Sequence, residues 1–111
     1  MALTEVEARI ADYVDRRADE MIGFLRTVVS TRSLWGDVEQ LAAMAKILGE
    51  RMAGAGVEVG YPDSGTPGAP NVLAWTGNRA SPRTLLFNGH FDVYPPSHSW
   101  SFDPFSTPLR P

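Results

Sequence analysis

Two amphipathic patterns of helical period occupy the first half of the chain. In the first, apolar residues recur at three- and four-residue steps and charged residues fill the opposite side. Thr4 followed by Glu7 has the form of a capping box, so we predict that this helix begins there, breaks near residues 18–19 and ends near residues 29–31. Its apolar positions are Val6, Ile10, Tyr13, Val14, Met21, Leu25 and Val28.

The second pattern predicts a helix that begins at Asp37. Gln40 follows three residues later, which is the spacing of a capped helix start. Apolar residues then form one stripe at helical spacing, and Gly54 or Gly56 is the expected end. The stripe consists of Leu41, Met44, Ala45, Leu48 and Met52.

Two short strands and a loop are predicted after the second helix. Residues 57–61 alternate apolar and polar side chains, and residues 71–75 form a second segment rich in apolar residues. Residues 62–70 contain three prolines and two glycines, which favours a loop between the two strands.

A third predicted strand, residues 84–88, is apolar at the consecutive positions Leu85, Leu86 and Phe87. Such a run is typical of a central strand that is covered on both faces. The order of elements predicts an α/β fold in which two N-terminal helices pack on a mixed sheet. At 111 residues, one domain is expected.

The character of the chain changes after Asp92. Five prolines fall within residues 95–111, interleaved with aromatic residues, so regular helix and central strand are excluded there. We expect this proline-rich tail, residues 94–111, to lie against the rest of the protein. Trp100 and Phe105 are the expected packing anchors, and Asp103 is expected to cap a turn.

Composition limits the classes of partner and the compartment. The net charge is −3 and the basic residues form no cluster, so nucleic acid is not an expected partner. The absence of cysteine excludes disulfides and thiolate metal sites. We find no apolar run near the roughly 20 residues of a membrane helix and no apolar signal segment. We therefore expect a cytoplasmic protein with no membrane partner.

The candidate chemistry lies at His90 and Asp92. Residues i and i+2 of an extended segment point to the same side, so both side chains are expected to face one space. A metal-ligating histidine usually donates its other ring N–H to a carboxylate or carbonyl. On spacing alone, the commoner explanation is an ordinary histidine followed by a turn aspartate. His98, between two serines, is expected to be a solvated loop histidine.

The longer motif around this pair resembles the first metal-site signature of the di-zinc amidohydrolases and exopeptidases. The matching pattern is an apolar strand, Gly-His-Phe-Asp-Val at 89–93, two prolines, Trp100, and Asp-Pro-Phe at 103–105. That family includes acetylornithine deacetylase, succinyl-diaminopimelate desuccinylase, aminoacylase, carboxypeptidase G and several dipeptidases. The two predicted helices and the strand that follows them also look like the N-terminal portion of the family.

The resemblance implies that His90 is a zinc ligand and that Asp92 is the catalytic-site acid that supports it. It implies two Zn²⁺ ions in the complete site, with cobalt as an alternative metal. The implied reaction is hydrolysis of the amide bond of an N-acyl amino acid, of the deacetylase or desuccinylase type, or of a small peptide. A homodimer is expected for the complete protein.

In the family, the remaining metal ligands and the general-base glutamate follow the segment that this chain contains. We therefore expect residues 1–111 to be an incomplete, N-terminal part of a zinc-exopeptidase-like catalytic domain, and the isolated chain to be inactive. The alternative is a non-catalytic fragment or interaction module, whose exposed apolar face pairs with a second chain.

Overall fold

The computed structural model describes residues 2–106, so residues 107–111 of the predicted tail lie outside the described residues. The described part contains three helices followed by two short strands. These are α1 (Glu5–Asp15), α2 (Ala18–Ser30), α3 (Val38–Gly54), β1 (Glu58–Gly60) and β2 (Leu73–Trp75). The fold is therefore mixed α/β. No helix among the described residues has the length and apolar character needed to span a membrane.

Side-chain caps set the beginnings of α1 and α3, as predicted. The Thr4 hydroxyl accepts a hydrogen bond from the backbone N–H of Glu7 at 3.3 Å, and the Glu7 carboxylate accepts one from the backbone N–H of Thr4 at 2.7 Å. The backbone N–H of Thr4, and then its hydroxyl, hold the pKa of Glu7 below its ordinary value. At α3, Asp37 Oδ1 accepts from the backbone N–H of Gln40 at 3.1 Å.

The predicted helix ends are also confirmed, and the predicted break occurs about two residues earlier than residues 18–19. Two turn residues, Arg16 and Arg17, separate α1 from α2, close to the expected position. α2 ends at Ser30 and α3 at Gly54. Gly56 then adopts φ +82°, in the left-handed region that glycine enters without steric cost.

The core lies between α3 and the two strands. β1 and β2 pair antiparallel, with Val59 opposite Ala74, and α3 packs against both. Met44 is the largest fully buried side chain, at 1% exposure. The Tyr61 ring covers Gly49 so closely that a Cβ at Gly49 would collide with the Tyr61 hydroxyl oxygen. The buried residues of α3 are Leu41, Met44, Ala45 and Gly49.

The prediction of a central strand at residues 84–88 is wrong. No strand forms there, and Leu85, Leu86 and Phe87 are 79%, 75% and 86% exposed. The sheet of the described residues is a two-stranded antiparallel pair, so the predicted mixed sheet is also wrong. An apolar run becomes a central strand only when strands on both sides satisfy its backbone groups, and among the described residues neither β1 nor β2 pairs with residues 84–88.

The expectation that both N-terminal helices pack on the sheet holds for α3 alone. No residue of α1 or α2 is buried. Arg51 of α3 nevertheless reaches α2, where it pairs with Glu20 at 2.5 Å and lies 5.3 Å from the centroid of the Phe24 ring. The radius of gyration is 17.1 Å, above the roughly 13 Å of a compact domain of this length. The N-terminal helices thus contribute little to the core.

The described part of the proline-rich tail returns to the segment between α2 and α3. The Arg32 guanidinium lies 2.8 Å from Asp103 Oδ2 and 5.0 Å from the centroid of the Phe105 ring. Asp103 Oδ1 accepts from the backbone N–H of Phe105 at 3.0 Å, which confirms the predicted turn. The contact of the Phe105 ring with Arg32 agrees with the predicted packing of Phe105. The other expected anchor, Trp100, is 53% exposed and meets Phe102 edge to face.

Candidate functional site

The segment that follows His90 is held by residues between α2 and α3. The Ser33 hydroxyl donates to the carbonyl oxygen of Phe91 at 2.5 Å. The backbone N–H of Val93 donates to the Ser33 carbonyl at 2.9 Å, and the backbone N–H of Trp35 donates to the Val93 carbonyl at 2.7 Å. These bonds form a short parallel connection beside the candidate metal ligand.

His90 and Asp92 face each other, as their spacing predicts. Nδ1 of His90 lies 2.8 Å from the carbonyl oxygen of Asp92 and 3.3 Å from its carboxylate Oδ1. Because a carbonyl oxygen can only accept, the hydrogen belongs on Nδ1, and Nε2 of the neutral ring keeps a free lone pair. The His90 side chain is 83% exposed and that of Asp92 is 43% exposed. This geometry leaves Nε2 able to bind a metal ion.

A groove of about 350 Å³ lies beside the pair. One wall is the segment from Gly89 to Asp92, and the other is the loop that connects β1 to β2. That loop is fixed by its own hydrogen bonds, including one from the Ser64 hydroxyl to the Ala69 carbonyl at 2.5 Å. Local patterns do not indicate the other lining residues, because only the fold brings them near His90. They include Trp35, Leu41, Ser64, Thr66, Ala69 and Asn71.

The donor atoms of the pair fit part of a metal centre. A catalytic zinc ion usually has three protein ligands and one open position. His90 offers one imidazole, and Asp92 offers a carboxylate already close to that imidazole. Within residues 2–106, no group of three or more histidine, cysteine, aspartate or glutamate side chains is placed to hold a metal. The described residues can therefore supply one zinc ligand, the imidazole of His90, and the Asp92 carboxylate that supports it.

Two other polar residues considered from the sequence lie outside the groove. His98 is exposed in a turn, as expected for a loop histidine, and does not line the groove. Asp103 is paired with Arg32 and caps its own turn.

Comparison with known proteins finds similarity to hydrolases. The chain is 31% identical over 111 aligned positions to the Cys-Gly metallodipeptidase dug1 of Schizosaccharomyces pombe. This alignment covers 88% of this chain and 23% of that protein. It is 35% identical over 66 positions to a succinyl-diaminopimelate desuccinylase of Roseobacter denitrificans, covering 58% and 17%. With the succinyl-diaminopimelate desuccinylase of Methylocella silvestris, it shares 49% identity over 47 positions, covering 40% and 12%.

The chain thus spans less than a quarter of the length of each of these relatives. No family model matches the chain, and no solved structure does. The similarities are thus to one metallodipeptidase and two desuccinylases. They agree with the amidohydrolase family that the motif around His90 resembles.

Proposed function

We propose that this chain is part of a metal-dependent amidohydrolase and that His90 supplies one of its metal ligands. The observation that carries the proposal is the contact of His90 Nδ1 with the Asp92 carbonyl at 2.8 Å, which leaves Nε2 free. When bound, a zinc ion supplies Lewis-acid polarisation of the amide carbonyl of the substrate. The proposed substrate is an N-acyl amino acid, and a small peptide is the next choice.

The residues of this chain have separate tasks in the proposed site. His90 binds the metal through Nε2, and the Asp92 carbonyl fixes the rotation of its ring. The Asp92 carboxylate, with Oδ1 3.3 Å from Nδ1, places negative charge beside the imidazole and supports its orientation. The adjacent groove, at about 350 Å³, falls in the roughly 300–1,000 Å³ range of small-molecule pockets. The groove would hold the part of the substrate next to the amide.

The remaining metal ligands and the general base are proposed to belong to a longer protein. The small share of each relative that the chain covers, between 12% and 23%, supports this proposal. On its own, the chain is proposed to be inactive, because one imidazole does not complete a catalytic zinc site. Two zinc ions in the complete site, a cytoplasmic location and a homodimer stay predictions.

Calorimetric titration of residues 1–111 with zinc at neutral pH tests this proposal. We expect binding weaker than micromolar that is lost in His90→Ala and retained in His98→Ala. His98 is a matched control because it is a second exposed imidazole of the same chain. Equal loss in both variants would refute a specific role for His90. Submicromolar one-to-one binding would instead show that the chain carries a complete site.

A second candidate function, a non-catalytic interaction module, is favoured by the exposure of Leu85, Leu86 and Phe87. An extended apolar segment with unpaired backbone groups invites pairing with another chain. Under this alternative, zinc binding does not depend on His90, and the apolar segment governs self-association. The zinc titration therefore distinguishes the two candidates.

A further inference from the structure

Ser33 is a buried polar residue on which the segment after His90 depends. It is 3% exposed, and its hydroxyl donates to the carbonyl of Phe91, 58 positions later in the chain, at 2.5 Å. A buried hydroxyl is costly unless it is hydrogen-bonded. The bond to Phe91 therefore fixes both the Ser33 side chain and the direction of the Phe91 carbonyl.

The Phe91 carbonyl belongs to the same planar peptide group as the backbone nitrogen of Asp92. Its direction therefore fixes the orientation of the peptide group that joins Phe91 to Asp92. On the other side of Asp92, the backbone N–H of Val93 donates to the Ser33 carbonyl at 2.9 Å. Ser33 thus holds both neighbours of Asp92, one through its side chain and the other through its backbone.

The segment that leads to Asp92 has no regular secondary structure of its own. Residues 84–90 form neither helix nor strand. The acceptor nearest to His90 Nδ1 is the backbone carbonyl of Asp92, at 2.8 Å. The position of the Asp92 backbone, and not its side-chain rotamer alone, therefore decides which nitrogen of His90 keeps its hydrogen.

The residue before Ser33 adopts an unusual conformation. Arg32 has φ +49°, in the left-handed region that residues other than glycine rarely adopt. Its guanidinium pairs with Asp103 at 2.8 Å and lies against the Phe105 ring. These contacts hold Arg32 in place, and with it the turn that presents Ser33 to Phe91.

We propose that Ser33 is a positioning residue for His90. Through the Phe91 carbonyl, it holds Asp92 where the Asp92 carbonyl accepts the hydrogen of His90 Nδ1, and so it keeps Nε2 free. The consequence for metal binding rests on the proposed function, whereas the geometry can be tested in the metal-free chain.

Long-range ¹H–¹⁵N NMR of metal-free residues 1–111, at a pH where both imidazoles are neutral, tests the proposal. The measured quantity is the ratio of the Nδ1–H to the Nε2–H tautomer of each histidine. In the wild-type chain, we expect His90 to carry its hydrogen mainly on Nδ1, while the exposed His98 shows the tautomer ratio of a free imidazole. Ser33→Ala is expected to shift the His90 ratio roughly 2- to 10-fold toward the Nε2–H form, the effect of one hydrogen bond. Ser33→Thr keeps the hydroxyl and is expected to restore the ratio.

Ser30→Ala is the matched control, because it removes a hydroxyl that donates to the Thr27 carbonyl at 3.0 Å in α2. We expect it to leave the His90 ratio unchanged. An unchanged ratio in Ser33→Ala, in a chain that keeps its fold, would overturn the proposal, as would a free-imidazole ratio for His90 in the wild-type chain.

Ser33→Cys decides the question if Ser33→Ala does not fold. Cysteine is similar in size to serine, but its S–H is a weaker hydrogen-bond donor than a hydroxyl. We therefore expect the His90 ratio to shift toward the Nε2–H form by less than in Ser33→Ala, and an unchanged ratio would overturn the proposal. Failure of the proposed function would be seen in a different experiment, the zinc titration, as zinc binding that does not depend on His90. The two failures are therefore distinguishable.

Discussion

The backbone carbonyl oxygen of Asp92 lies closer to Nδ1 of His90, at 2.8 Å, than the carboxylate Oδ1 of the same residue, at 3.3 Å. The backbone therefore contributes the shorter contact that orients the imidazole, and the carboxylate contributes negative charge beside it. A substitution that changes only the side chain separates the two effects.

Asp92→Asn is expected to keep the Nδ1–H form of His90 and to weaken zinc binding. The variant removes the negative charge beside the imidazole, and we expect the zinc affinity to decrease about 10-fold, the lower end of such effects. Zinc-dependent NMR shifts of the His90 ring measure the affinity. Asp12→Asn is the control, because Asp12 of α1 is paired with Arg16 away from the groove. Wild-type affinity in Asp92→Asn would show that the carboxylate is incidental.

The exposed segment of Leu85, Leu86 and Phe87 is expected to make the chain self-associate at micromolar concentration. Leu86→Glu is expected to reduce this association, because it places a charge within the apolar run. Leu3→Glu is the matched control, since Leu3 is 62% exposed elsewhere and both variants change the net charge from −3 to −4. Light scattering measures the outcome. A monodisperse wild-type monomer would contradict the prediction.

The small core between α3 and the strands depends on Met44. Met44→Ala is expected to lower the local free energy of opening of α3 by about 2 kcal/mol or more, because it leaves a cavity in the core. Met52→Ala, at a position 36% exposed on the same helix, is expected to cost much less. Amide hydrogen exchange measures both. Equal effects would mean that the packing of Met44 does not support α3.

The contact between α2 and α3 is expected to weaken in acid. The hydrogen bond from Arg51, followed by the charges of Arg51 and Arg17, holds the pKa of Glu20 below its ordinary value. A carboxyl group whose pKa is lower in the folded state than in the unfolded state stabilises the fold at pH values above its unfolded-state pKa. This stabilisation is lost as the pH falls through the folded-state pKa. The NMR signals of Phe24, which also lies near Arg51, report the contact as acid is added.

Glu20→Gln is expected to remove this part of the pH dependence, because the amide does not titrate. Glu39→Gln, in the first turn of α3, is the control and is expected to retain it. If Glu20→Gln leaves the acid response of Phe24 unchanged, another group is responsible.

Local interactions made the helices predictable, whereas pairing between distant segments did not follow from the sequence. The caps at Thr4 and Asp37 involve partners three residues away, so their spacing is visible in the sequence. The run at 84–88 has the composition of a central strand, but a strand also needs neighbours, and β1 and β2 pair with each other. Ser33 was not predicted because its partner Phe91 is 58 positions away.

The central claim is that Nε2 of His90 is a metal ligand, and NMR of the two imidazoles during zinc addition tests it most directly. We predict that zinc shifts the ¹⁵N resonance of His90 Nε2 while Nδ1 keeps its hydrogen, and that His98 responds much less. Equal responses of the two histidines, or a shift at Nδ1 of His90 in place of Nε2, would contradict the account.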